Sequence, residues 1–132
     1  MKIHHIGYLV KNIQAGKKAF ENLGFSTETE IINDVDRMIR ILFMINENYR
    51  IELIEPINSE SYFYGLLKKY KNTGYHLCYQ VADIQEKIKE LTKAGYIILQ
   101  EPAVAVAIEK KKVAFLLHPN MGIIELLEIE EA

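Results

Sequence analysis

His5-Ile6-Gly7-Tyr8-Leu9-Val10 returns 71 residues later as His76-Leu77-Cys78-Tyr79-Gln80-Val81, with the histidine leading both times. The same offset relates Ile13 to Ile84, Gln14 to Gln85, Gly24 to Gly95 and Phe25 to Tyr96. Each half then closes on an apolar stretch carrying a glutamate, Ile51-Glu52-Leu53-Ile54-Glu55 and Ile124-Glu125-Leu126-Leu127-Glu128. There the offset has grown to 73, so two residues entered between helix and last strand, most simply in hairpin loops. A unit that is used twice and places one His and one Glu per copy decides how the rest of the chain is read.

Around this repeat the chain organises itself as two βαβββ modules, an α+β architecture. Residues 2–10 are rich in β-branched and aromatic side chains and predict a strand. Asn12 offers an N-cap, and Ile13, Ala19, Phe20 and Leu23 share one helical face up to Gly24, a C′ glycine. Gly16 lies on that face and allows close packing. Strands are predicted over residues 25–32, 38–45 and 49–55, the last two joined through Asn46-Glu47-Asn48. Tyr62, Phe63, Leu66, Leu67 and Tyr70 recur at helical spacing in a bridge. The pattern then restarts with strand 75–81, helix 84–94 capped by Asp83, and strands 96–100, 112–117 and 122–129. Module 1 is expected over about residues 1–56, the bridge over 57–73 and module 2 over 74–132. Either module alone is too small to bury a good core, so one domain spanning 1–132 is expected.

Composition narrows the functional classes. The 132 residues carry 16 Lys and Arg against 18 Asp and Glu, a net charge of −2. That balance predicts no nucleic-acid partner and no attraction to an anionic membrane. The densest basic patch is Lys110-Lys111-Lys112, expected at a hairpin, and no convincing basic cluster marks a site for phosphates. No apolar run reaches the ~18 residues of a membrane helix, and no signal-peptide pattern opens the chain. The single cysteine, Cys78, cannot form an internal disulfide, and a cytoplasmic location is expected.

Side-chain alternation puts Glu125 on a face with Ile123, Leu127 and Ile129, and Glu52 on one with Ile54 and Arg50. A carboxylate on an apolar strand face costs several kcal/mol unless something positive compensates it. One divalent cation would compensate both, and two neutral imidazoles complete a charge-balanced ligand set: His5, Glu52, His76 and Glu125. Taken singly, a strand histidine or glutamate is usually structural, and Arg50 offers Glu52 an ordinary ion pair. His4, Glu55, Glu128 and His118 keep that ordinary reading. His4 faces away from His5, and the other three lie near strand ends or turns; joint occurrence at equivalent repeat positions favours the ligand reading for His5, Glu52, His76 and Glu125.

The residues so far resemble the vicinal oxygen chelate superfamily, in its glyoxalase I (lactoylglutathione lyase) and methylmalonyl-CoA epimerase branch. The resemblance rests on residues 5–10, on Ile51-Glu52-Leu53-Ile54-Glu55-Pro56, and on the second-module opening at 74–81. It is carried most specifically by Phe115-Leu116-Leu117-His118-Pro119-Asn120-Met121-Gly122-Ile123-Ile124-Glu125-Leu126. It implies that the paired modules curl into a half-barrel holding one divalent ion (Ni²⁺, Co²⁺, Mn²⁺ or Zn²⁺) between first and last strands. Bacterial glyoxalase I uses the same His, Glu, His, Glu order. The implied chemistry is proton movement on carbon next to a carbonyl or thioester of a small-molecule substrate. Glu125 is the first candidate base and Glu52 the second; a homodimer is implied as well. Near Arg40 the epimerases carry a second catalytic carboxylate, so an arginine there suggests a clamp for a substrate carboxylate or phosphate, or else a partner for Asp34 or Asp36. Two other readings stay open: a metal-free small-molecule-binding or antibiotic-sequestering protein of the same fold, and an Fe(II) extradiol dioxygenase. The second fits less well, because dioxygenases use three ligands and Glu52 would be a fourth.

Overall fold

The structure, a computed structural model, describes residues 1–130; the last two residues of the expected second module lie outside them. The described residues form β1 (Lys2–Leu9), α1 (Ile13–Glu21), β2 (Ser26–Thr27), β3 (Ile32–Asp34), β4 (Ile39–Asn46) and β5 (Tyr49–Pro56). There follow α2 (Tyr62–Tyr70), β6 (Thr73–Val81), α3 (Ile84–Lys93), β7 (Ile97–Ala105), β8 (Lys111–His118) and β9 (Gly122–Glu128). A single 3-10 turn, Val106–Ile108, precedes the basic patch. The chain packs as two compact units, His5–Tyr75 and Met1–His4 with the chain from His76 onward. Among the described residues no helix is long and apolar enough to cross a membrane.

In the first unit β1 runs parallel to β5, and β5 pairs antiparallel with β4. β2 and β3 both lie antiparallel against β4. The single strand expected over 25–32 is therefore interrupted. Between its two pieces Glu28 N–H donates to the Phe43 carbonyl, while Phe43 N–H donates to Thr29 Oγ1 at 3.3 Å. A side-chain hydroxyl has replaced a backbone acceptor there, the local competition Thr is prone to. The second unit repeats the pattern: β6 parallel to β9, β9 antiparallel to β8, β8 antiparallel to β7. β7 stays continuous but slips register twice along its length.

Helix ends follow the sequence closely. Asn12 Oδ1 accepts from Ala15 N–H, and Asp83 Oδ1 from Glu86 N–H. Gly24 and Gly95 adopt φ of +94° and +99°, the left-handed conformation that ends each helix. Glu55 and Glu128 add an anchor that the sequence did not suggest. Their Oε2 atoms accept, each at 3.0 Å, from the N–H of Ile13 and of Ile84, the first residue of each helix.

One face of each sheet packs on its helix. Val10, Ile13, Leu42, Met44, Ile51 and Leu53 form the first core; Val81, Ile84, Ile88, Ala114, Leu116, Ile124 and Leu126 form the second. Each large side chain so buried contributes about 1.5–3 kcal/mol. A Cβ on Gly16 would stand 3.1 Å from Val10 Cγ1, so glycine lets α1 approach its sheet. The face of each sheet away from its helix carries the polar residues that matter next.

Candidate metal ligands

His5, Glu52, His76 and Glu125 are all buried, between 1% and 5% exposed. They are candidate metal ligands among the described residues, where His4, His5 and Cys78 form a second such group. The structure joins the four as one pair within each unit. His5 on β1 meets Glu52 on β5, Nε2 to Oε1 at 3.3 Å. His76 on β6 meets Glu125 on β9, Nε2 to Oε1 at 3.0 Å. An ionised carboxylate only accepts, so a hydrogen bond in either pair requires the imidazole tautomer that carries its proton on Nε2.

Strand register explains why both pairs form. In the parallel ladders Glu52 stands beside Gly7, two residues beyond His5 on its strand face, and Glu125 beside Cys78, two beyond His76. Cys78 is fully buried. Two aromatic residues, which sequence reasoning missed, complete the pattern. Phe43 is the antiparallel partner of Glu52, and Phe115 that of Glu125. The Phe43 ring meets His5 edge-on, centroids 5.4 Å apart and planes at 78°; Phe115 meets His76 at 5.4 Å and 89°. These phenylalanines are 72 residues apart, between the offsets of the histidines and of the glutamates. Only counting each segment at its own offset would have paired them. One of the two added residues lies in the β8–β9 turn, where His118 pairs with Gly122 while Asn46 pairs with Tyr49. The other entered before β8.

Other candidates fall elsewhere. Arg40 pairs with Glu55 at 2.6 Å, its side chain 44% exposed. Its register partner is Glu55, whereas Phe43, three residues on, faces Glu52; Arg40 thus lies on the opposite, helix-bearing side of the sheet. Asp34 is buried and bound by Arg37 instead. Arg50 gives Nε and Nη2 to Glu28 at 2.7 and 2.8 Å, and that hydrogen bonding raises its pKa further. His118 packs beside Gly95 and Tyr96, in the place that Asn46 holds beside Gly24. The ordinary reading suits it.

The family profile described as "Glyoxalase/Bleomycin resistance protein/Dioxygenase superfamily" matches residues 4–115. The mitochondrial methylmalonyl-CoA epimerase of Dictyostelium discoideum is 30% identical over 131 residues, covering 98% of this chain and 78% of that protein. A hypothetical protein from Bacillus halodurans superposes with a TM-score of 0.86 at 26% identity, covering 99% and 96% of the two chains. The Streptomyces coelicolor methylmalonyl-CoA epimerase, solved with 2-nitronate-propionyl-CoA, gives 0.83 at 21%, covering 97% and 94%. The two βαβββ modules seen here are the fold these structures share.

Proposed function

Since this chain belongs to the Glyoxalase/Bleomycin resistance protein/Dioxygenase superfamily, we propose that it is a metal-dependent epimerase moving the proton on C2 of a 2-substituted malonyl-CoA thioester. Its enzymatic, epimerase-like character follows from curated relatives that match over nearly the whole chain. The CoA thioester is inferred from those names and from the CoA ligand of the Streptomyces structure. One observation carries the metal dependence: the same buried His–Glu pair recurs in both modules.

The residues fit a divalent ion. Two imidazoles and two carboxylates suit Ni²⁺, Co²⁺, Mn²⁺ or Zn²⁺, and two carboxylates balance a double positive charge. A bound ion would supply Lewis-acid polarisation of the thioester oxygen, which acidifies the neighbouring C–H. His5, Glu52, His76 and Glu125 would hold it. Glu125 is assigned removal of the C2 proton, with Glu52 as the alternative base, and inversion at C2 requires the proton to be returned to the opposite face of the enolate. Burial among apolar neighbours keeps bulk water from competing for that proton. Arg40 is assigned to Glu55 and α1 rather than to substrate, because its Nη1 already meets a carboxylate on the helix-bearing side.

The test combines metal analysis with exchange. The chain, reloaded separately with each of the four ions, should retain about one per molecule, and Glu125→Gln and His76→Ala should retain none. Methylmalonyl-CoA incubated with the loaded protein in deuterium oxide should gain deuterium at C2, at a rate at least ~10²-fold lower in Glu125→Gln. Failure to bind any of the four ions would overturn the metal dependence. Turnover of a glutathione hemithioacetal without exchange of the thioester would move the chain to the glyoxalase I reaction.

A further inference from the structure

We propose that Phe43 and Phe115 are positioning residues, each holding the plane of one ligand imidazole so that its Nε2 stays aimed at the paired carboxylate. The inference rests on the metal-ligand reading above and deepens it.

The geometry recurs where recurrence is informative. Each phenylalanine occupies the position directly across the ladder from the module's site glutamate. Each meets the module's histidine at a centroid distance of 5.4 Å, with planes near perpendicular. The flanking residues differ, Leu42 and Met44 in one module and Ala114 and Leu116 in the other. Three offsets, of 71, 72 and 73 residues, had to be accommodated for the His, Phe and Glu positions to coincide. Apolar packing alone tolerates change of side chain between the modules, as at Leu42 and Ala114. An edge-to-face contact asks for a ring.

The need for a ring follows from histidine itself. Rotation about χ2 is soft, with two broad wells, and a half-turn exchanges Nε2 for a carbon. A half-turned ring would present C–H to Glu52 or Glu125, losing the hydrogen bond in the metal-free protein and the Nε2 ligand in the metal-bound one. A near-perpendicular aromatic ring packed against the imidazole opposes that turn. Groups that orient a metal-binding histidine typically change metal affinity ~10–100-fold when removed.

The experiment compares Phe43→Leu and Phe115→Leu with Phe115→Tyr, which keeps the ring at a half-buried position. Thermal unfolding establishes that each variant is folded. Long-range ¹H–¹⁵N spectra of the metal-free proteins report tautomer and ring exchange for His5 and His76 individually. Titration with Co²⁺ reports affinity. The expected result is that Phe43→Leu broadens or averages only the His5 signals and Phe115→Leu only those of His76. Each leucine variant should also lose Co²⁺ affinity by ~10-fold or more, and Phe115→Tyr should restore the His76 signals and affinity. Unchanged imidazole spectra in folded leucine variants would overturn the proposal, as would equal damage in Phe115→Tyr. Because the spectra are taken without metal, they judge the positioning role even if wild type binds no Co²⁺, a result that would count against the metal-ligand reading alone.

Discussion

At Glu125, stability and chemistry pull in opposite directions. A carboxylate 3% exposed, on a strand between Ile124 and Leu126, is costly to bury, and in the metal-free chain its imidazole partner offsets that cost through a hydrogen bond. Glu125→Gln keeps the shape, removes the charge and still offers His76 Nε2–H an amide oxygen. The metal-free variant should therefore unfold at the same temperature as wild type or higher, by up to about 1 kcal/mol in chemical denaturation. Glu52→Gln should behave alike. Glu128→Gln, three residues further along β9, should do the reverse, because its carboxylate serves a helix end rather than the site. A marked loss of metal-free stability in Glu125→Gln would show that the carboxylate is there to hold the fold.

The helices are tied to the site strands by elements of the same repeat. β5 carries Glu52 on one face and Glu55 on the other, so one strand contributes a site carboxylate and clamps the first N–H of α1. β9 does the same for α3 through Glu125 and Glu128. Glu128→Ala should cost about 1.5–3 kcal/mol, the range for hydrogen bonds to charged groups, and Glu55→Ala a similar amount. The Arg40–Glu55 ion pair should add at most ~1 kcal/mol of coupling in a double-mutant cycle, since Arg40 is largely solvated. At this scale the sequence was legible wherever a local rule applies. Asn12, Asp83, Gly24 and Gly95 marked helix ends, and a place near the strand end set Glu55 apart from Glu52. Illegible were the Thr29 interruption, the double slip of β7 and the pairing of Phe43 with Phe115. Those depend on which residue lies across a ladder, and register is fixed by turn lengths and bulges that hydrophobic periodicity does not encode.

Taken as a whole molecule, the chain uses one local solution twice, and its response to metal should be collective. Ligand held only by the folded state raises stability by about 2.7 kcal/mol at a free concentration a hundredfold above Kd. Wild type should show a rise in unfolding temperature that grows with Co²⁺ concentration, and removing any one of His5, Glu52, His76 or Glu125 should abolish most of it, whichever module the residue belongs to. A rise surviving the loss of both first-module ligands would mean that one pair binds alone. The repeat, the helix ends and the four polar residues could all be read from the chain; that the histidines needed an aromatic neighbour could not, because nothing in one strand's sequence names its neighbour. Cys78, where the first module has Gly7, gives this molecule its own reporter. As the one thiol of the chain, fully buried and beside Glu125 in the β6–β9 ladder, it can be alkylated only when the packing around it opens. Its labelling rate therefore measures how often the second site is breached, without any engineered probe.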